Sequence, residues 1–155
     1  KALLKNLEVF GISNAFVTNE VPQNLAERFE GFFDKVLIDA PCSGEGMFRK
    51  DAGAISEWSP ENVTLCRERQ EMILAYADAM LKPGGVLVYS TCTVNRDENE
   101  EQVKTFLENN PRFHVAVPAL QLPGMQQGEY GTLFLPHKTA TDGFFAAILE
   151  TESTQ

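Results

Sequence analysis

The sequence of 155 residues is short of positive charge, and it has no long apolar run. No apolar stretch approaches the ~20 residues needed to span a bilayer, and the N-terminal residues lack the charged-then-apolar pattern of a signal peptide. These absences predict a cytoplasmic protein with no membrane partner. With a formal charge of −9, the chain alone is a poor match for a nucleic acid, because Lys and Arg supply most phosphate binding. To bind a nucleic acid, the basic surface would have to come from elsewhere.

Cysteine is also scarce. The three cysteines, Cys42, Cys66 and Cys92, are odd in number and widely spaced, and no two of them form a C-x-x-C pair. Neither a disulfide framework nor a zinc site is favoured by this spacing, so we expect reduced thiols and no metal centre. Cys66 lies on the apolar stripe of a predicted helix and is expected to be a small core residue.

The pattern of apolar residues predicts a single α/β domain in which strands alternate with helices. Apolar residues recur every three or four positions in the predicted helices, which cover residues 1–11, 59–80 and 95–110. Short β-rich runs predict strands at residues 14–20, 33–40, 86–93, 132–138 and 142–150. We expect the first strands to belong to a parallel sheet that is buried on both faces, with right-handed crossovers.

Local signals set the expected ends of these helices. Ser59 followed by Pro60 is typical of a helix N-terminus. Asn95 and Glu98 match a capping box for the third helix, and the acidic run 97–101 is predicted to be its solvated first turn.

Two successive predicted strands end in polar segments that each contain a cysteine. Ligands of α/β sheets bind beyond the carboxyl ends of the strands. Because adjacent strands lie ~4.8 Å apart, Cys42 and Cys92 can face one small substrate. A single free cysteine is more often a buried core residue. The paired placement favours a reactive site, because Asp39 precedes Cys42 by three residues and hydroxyl side chains flank Cys92.

The motifs around these residues resemble those of the Sun-type (NOL/NOP/Sun) RNA cytosine-5 methyltransferases. "DAPCSGEG" at 39–46 is similar to their Pro-Cys motif, "YSTCT" at 89–93 to their Thr-Cys motif, and "PHKTATDGFF" at 136–145 to their C-terminal signature. The shorter stretches "GMFRKD", "WSPEN" and "LKPGG" resemble the bacterial branch that modifies ribosomal RNA. The resemblance extends from Gly11 to Glu150.

The resemblance implies methylation of carbon 5 of a cytosine in RNA, with ribosomal RNA as the expected substrate and S-adenosylmethionine as the cofactor. It assigns Cys92 as the nucleophile that adds to carbon 6 and Cys42 as the residue that helps to release the product. Asp39 is expected to contact both base and cofactor, and Asn19 and Pro41 to contact the cofactor.

Reactivity of this kind requires a thiolate at Cys92. We expect its pKa to be lowered by nearby partial positive charge, such as the N-terminus of a helix that begins at Asn95. The segment Gly44-Glu45-Gly46 is expected to let the backbone approach the substrate.

The resemblance also implies a Rossmann-like class I methyltransferase sheet that lacks its first strands and its glycine-rich cofactor loop. Residues 1–155 would then be the C-terminal part of a single S-adenosylmethionine-dependent catalytic domain. By the family's topology, a gap would separate the strand at 14–20 from the strand at 33–40. We expect such a fragment to be inactive by itself.

Two other classes of function remain open. In a thiol redox protein, Cys42 and Cys92 would form a reversible disulfide, although redox pairs usually occupy one C-x-x-C turn. A non-catalytic RNA-binding or assembly module would fit the missing cofactor loop, but it would not need the two cysteines.

Overall fold

A computed structural model describes residues 2–153 of the chain. Its centre is a six-stranded mixed sheet in the order β1-β2-β6-β5-β4, with β3 also paired to β6. The strands are β1 (Phe33–Asp39), β2 (Leu81–Thr91), β3 (Phe113–Ala116), β4 (Met125–Gln127), β5 (Thr132–Phe134) and β6 (Phe144–Thr151). The helices are α1 (Ala2–Val9), α2 (Pro22–Arg28), α3 (Ala52–Glu57), α4 (Pro60–Met80), α5 (Glu100–Asn109) and α6 (Pro136–Thr139).

The predicted parallel pairing holds for β1 and β2, whereas the other strand pairs are antiparallel. The loop-rich region after Pro111 contains β3 and β4, which the sequence did not indicate. Within residues 2–153, the longest helices are too polar or too short to cross a bilayer.

The hydrophobic core lies between the sheet and the helices α4 and α5. Leu87 and Tyr89 alternate along β2 and are fully buried, as is Phe145 on β6. Leu74 of α4 and Val103 of α5 complete the same cluster. Burying one such side chain contributes about 1.5–3 kcal/mol, so this layer holds β2 and β6 against the helices.

Helix α4 forms where the sequence predicts it. The Ser59 side chain accepts a hydrogen bond from the backbone N–H of Asn62 at 3.0 Å, and Pro60 is the first helical residue. Helix α1 also forms as predicted, apart from Lys1, which lies outside the described residues. It ends before Gly11, whose φ of +65° is the left-handed conformation typical of a helix end.

Residues 14–20 are not a strand, so this prediction was wrong. Phe16 is 99% exposed, and β1 has no neighbouring strand on its outer edge in the part of the chain that the structure describes. A strand needs a partner for its backbone hydrogen bonds, and this segment has none among the described residues. The sheet is also not buried on both faces, because Leu37 of β1 is 72% exposed.

The predicted start of the third helix was wrong as well. Helix α5 begins at Glu100 rather than Asn95, and no capping box forms. The Asn95 side chain accepts a hydrogen bond from the backbone N–H of Asp97 at 2.9 Å, which gives a local turn that competes with helix. Glu98 is fully buried, so the run 97–101 is not the solvated turn that we expected.

Three backbone segments meet at Gly46. Its N–H donates to the carbonyl of Cys92 at 3.0 Å, and its carbonyl accepts from the N–H of Gly143 at 3.0 Å. A Cβ atom at this position would lie 2.5 Å from the Cys92 carbonyl oxygen and closer still to that of Gly143. The glycine therefore permits close packing of the protein's own backbone, whereas we had expected it to permit approach to a substrate.

We expect Gly46→Ala to lower the free energy of unfolding by about 1–3 kcal/mol, because the added methyl group overpacks fixed backbone. Chemical denaturation measures this loss. Gly128→Ala is the matched control, because its Cβ would meet its nearest atom, the Gly131 carbonyl oxygen, at an ordinary 3.4 Å. Equal stability of the two variants would contradict the packing described here.

Candidate active site

Two cysteines meet beyond the carboxyl ends of β1 and β2. The strands are parallel with Asp39 opposite Ser90, so the segments that follow them leave the sheet at the same edge. The Sγ atoms of Cys42 and Cys92 lie 3.0 Å apart, within hydrogen-bonding distance, and both side chains are partly exposed. The structure thus brings together the two thiols that sequence reasoning selected, and it buries Cys66 in α4.

The hydrogen bond between the two thiols separates their pKa values. Donation from Cys42 lowers the pKa of Cys92 to about 7, although burial acts in the opposite direction. The same bond, together with burial, raises the pKa of Cys42 far above its ordinary value. Cys92 is therefore the thiol that ionises more readily, with Cys42 as the hydrogen-bond donor. The pKa of Cys92 shifts in the expected direction, but the main cause is Cys42 and not a helix terminus at Asn95.

The turn that carries Cys42 is held by buried polar side chains. The Pro41 carbonyl accepts a hydrogen bond from Nε2 of Gln70 at 2.9 Å. Ser43 donates to the Glu98 carboxylate twice, from its backbone N–H at 2.9 Å and from Oγ at 2.6 Å. Gln70 and Glu98 are fully buried, and Gln70 also donates to Glu98 at 3.0 Å. The residues on both sides of Cys42 are thus fixed from the interior.

The segment that carries Cys92 is held in the same way. Thr91 Oγ1 donates to Oδ1 of Asn99 at 2.6 Å, and Nδ2 of Asn99 donates to the carbonyl of Thr93 at 3.0 Å. The hydroxyls of Thr93 and Ser43 are 3.1 Å apart and join the two segments directly. These four polar side chains are buried, so the hydrogen bonds are shielded from water.

Sequence reasoning missed Gln70, Glu98 and Asn99. Gln70 had a usable signal, because it falls on the buried stripe of α4 between Cys66 and Leu74, where a polar side chain needs an internal partner. Glu98 and Asn99 had no such signal, because an acidic run beside a helix is equally typical of a solvated surface.

Asp39 and Pro41 lie at the same edge as the thiols. Asp39 is the last residue of β1 and is exposed. Its negative charge disfavours ionisation of Cys92 and so raises the pKa of that thiol. It lines a hollow of about 450 Å³, whose other lining residues are mostly apolar. Pro41 lines a neighbouring hollow of about 410 Å³, and the two hollows share Pro22 and Ile73.

Unlike Asp39 and Pro41, Asn19 does not line the hollows at this edge. It is exposed in the irregular segment before α2. Across residues 2–153, no three His, Cys, Asp or Glu side chains are grouped so that they could hold a metal ion.

Known proteins are similar to this chain over nearly its whole length. A sequence profile described as 16S rRNA methyltransferase RsmB/F matches residues 1–150. The chain is 41% identical over 157 residues to the ribosomal RNA small subunit methyltransferase F of Klebsiella pneumoniae (strain 342), and the match covers 96% of this chain and 32% of that protein. The chain therefore spans about a third of the length of this curated relative.

Solved structures also superpose on nearly the whole chain. The crystal structure of PH0851 superposes with a TM-score of 0.85 at 28% identity, covering 96% of this chain and 34% of the other. NSun6 from Pyrococcus horikoshii with SFG gives a TM-score of 0.82 at 27% identity, covering 98% and 38%. The predicted class, a partial Rossmann-like α/β sheet, is confirmed. Because the profile matches nearly the whole chain, this protein belongs to the 16S rRNA methyltransferase RsmB/F family, within the Sun-type methyltransferases.

Proposed function

We propose that this chain is the C-terminal part of a catalytic domain that methylates carbon 5 of a cytosine in ribosomal RNA. The observation that carries the proposal is the contact between Cys42 and Cys92 at 3.0 Å, with ionisation favoured at Cys92. Family membership and relatives called ribosomal RNA small subunit methyltransferases support the substrate and a cytoplasmic location. With its charge of −9, the chain relies on the rest of the protein for basic RNA-binding surface.

Cys92 begins the reaction. Carbon 5 of cytosine is too weak a nucleophile to take a methyl group directly. When the Cys92 thiolate forms a bond to carbon 6, the electrons of the double bond shift and carbon 5 becomes nucleophilic. With its pKa lowered to about 7, a large fraction of Cys92 is already ionised at neutral pH.

Formation of that bond changes the environment of Cys42. Cys92 becomes an uncharged thioether. Its negative charge and its hydrogen bond with Cys42, which both raise the pKa of Cys42, are then lost. Backbone hydrogen bonds at Gly44 and Cys92 still favour the Cys42 thiolate. Cys42 then releases its own proton to solvent. Once carbon 5 has received the methyl group, the Cys42 thiolate accepts the proton that leaves carbon 5. The bond between Cys92 and carbon 6 breaks, and its thiolate and the aromatic ring are regenerated.

The residues at the sheet edge fit S-adenosylmethionine. The exposed Asp39 carboxylate can accept hydrogen bonds from the cofactor's N–H or O–H groups, and the apolar surface of Pro22, Pro41 and Ile73 suits an adenine ring. When bound, the cofactor supplies an electrophilic methyl group. A structural neighbour with SFG, an S-adenosylmethionine analogue, supports this choice. Asn19 remains a proposed cofactor contact.

The contact between the thiols also suits the alternative of a redox protein, in which Cys42 and Cys92 would cycle through a disulfide. Membership of a methyltransferase family favours methylation. RNA that carries 5-fluorocytosine separates the alternatives, because fluorine blocks release from carbon 5. A methyltransferase should be trapped covalently through Cys92, whereas a redox protein or a non-catalytic module should form no such adduct.

Alkylation of Cys92 by iodoacetamide should follow its pKa of about 7. As the pH falls below 7, the thiolate becomes protonated and the rate should drop by about tenfold per unit; well above pH 7 the rate should level off. In Cys42→Ala, the midpoint should rise toward the ordinary value of ~8.5, because the hydrogen-bond donor is gone. Site-resolved mass spectrometry measures both profiles, with buried Cys66 as an unreactive internal control. An unchanged midpoint in Cys42→Ala would contradict the assigned cause.

The two cysteine variants should fail differently in the complete protein. Cys92→Ala should abolish methylation and adduct formation, because no thiol attacks carbon 6. Cys42→Ala should still attack but release slowly, and a protein–RNA adduct should accumulate on a denaturing gel. Cys66→Ala is the control and should retain activity. If Cys92→Ala were active and Cys42→Ala inert without an adduct, the two roles would be reversed.

Asp39→Asn should strongly reduce methyl transfer with little change in melting temperature, because the side chain is exposed and Asn preserves its shape. Single-turnover methylation and thermal denaturation measure the two effects. Asp34→Asn is the matched control, since it removes another exposed carboxylate from the same strand, where it pairs with Lys82. Similar turnover in both variants would show that the Asp39 carboxylate contacts neither the base nor the cofactor.

A further inference from the structure

The adjacent residues Glu98 and Asn99 bind different cysteine segments. The Glu98 side chain accepts both hydrogen bonds from Ser43, which follows Cys42. The Asn99 side chain accepts from Thr91 and donates to Thr93, the two neighbours of Cys92. Each of the two side chains is fully buried and therefore shielded from competing water.

We propose that Glu98 and Asn99 are positioning residues that together hold the two thiols in contact. Glu98 fixes the Cys42 turn, Asn99 fixes the Cys92 turn, and the peptide bond between them sets the spacing of the two anchors. The consequence for catalysis rests on the function proposed above, but the effect on the thiols does not.

The anchoring dipeptide is itself fixed to the core. The hydroxyl of Tyr89, a fully buried residue of β2, donates to the backbone carbonyl of Glu98 at 2.6 Å. Gln70 donates to the Glu98 carboxylate and accepts a hydrogen bond from Gln102 of α5 at 3.2 Å. Strand β2 and helices α4 and α5 therefore all hold Glu98 in place.

The Glu98 carboxylate is not held by an ion pair. Among the described residues, none of the ion pairs includes Glu98, and its partners are the neutral donors of Ser43 and Gln70. An unpaired buried carboxylate is costly to fold, and a solvated helix turn would avoid that cost. Its two oxygens receive three hydrogen bonds, which is the arrangement expected of a rigid anchor.

Positioning and electrostatic roles predict opposite changes at Cys92. The negative charge of Glu98 by itself raises the pKa of Cys92, whereas the hydrogen bond from Cys42 is the largest cause of its lowering. If Glu98 acted mainly through charge, its removal would lower this pKa further. If Glu98 holds Cys42 against Cys92, its removal breaks the thiol contact and raises the pKa.

The experiment measures the pH profile of Cys92 alkylation by iodoacetamide in the complete protein. Glu98→Ala should raise the midpoint by about one unit and slow alkylation at pH 7 by roughly fivefold. Asn99→Ala should raise it as well. Glu98→Gln should not raise the midpoint, because the amide can accept from the Ser43 N–H and donate to its hydroxyl. Asp97→Ala is the matched control, which removes an exposed charge one residue away and should leave the midpoint unchanged.

A second readout reports the thiol contact directly. Diamide-driven formation of the Cys42–Cys92 disulfide should be about tenfold slower in Glu98→Ala than in the parent protein, because the thiols are no longer held together. Neither readout uses RNA or cofactor, so a protein that fails to methylate can still confirm the positioning role. A protein that methylates can equally refute it.

Melting temperatures identify variants that do not fold. If Glu98→Ala is unfolded, Ser43→Ala decides the question, because it removes only the hydroxyl that links Glu98 to Thr93. It should raise the midpoint in the same direction by a smaller amount. The proposal is overturned if a folded Glu98→Ala or Ser43→Ala keeps or lowers the midpoint, or if Glu98→Gln raises it as much as Glu98→Ala does.

Discussion

The site depends on the parallel pairing of β1 with β2. In this register Asp39 lies opposite Ser90, so the two strands end together and the chain turns away at one edge of the sheet. A shift by one residue would reverse which face each side chain occupies. Burial of Leu87 and Tyr89 against the helices makes such a shift costly, because it would expose both. The core thus determines where the two cysteines can be.

The two thiols form an unequal pair although they are chemically identical. A single hydrogen bond favours the charge on Cys92 and the proton on Cys42. The ionisation of the two thiols is therefore coupled, because loss of charge at one sulfur favours ionisation at the other. In the proposed reaction, this coupling would order the two roles in time without any movement of the backbone.

The parts of this arrangement that could be predicted from the sequence are those with local signals. The strands β1 and β2 follow from short apolar runs, and the edge that their cysteines share follows from the rule for parallel sheets. The failures come from partners that are distant in sequence. Residues 14–20 have β propensity, but no strand within residues 2–153 pairs with them. Glu98 has the context of a helix start, and only its contacts with Ser43 and Gln70 show that it is buried.

The polar network that fixes the thiols determines what would be needed to transfer this site to another protein scaffold. Nearly all the hydrogen bonds that fix the thiols come from the segments 41–46 and 91–99, with a single helix side chain, Gln70, reaching in from α4. The positions of the two thiols are therefore determined mostly by residues within these two segments. What a host scaffold would have to supply is a parallel strand pair in this register, one buried glutamine, and a tyrosine hydroxyl placed like that of Tyr89.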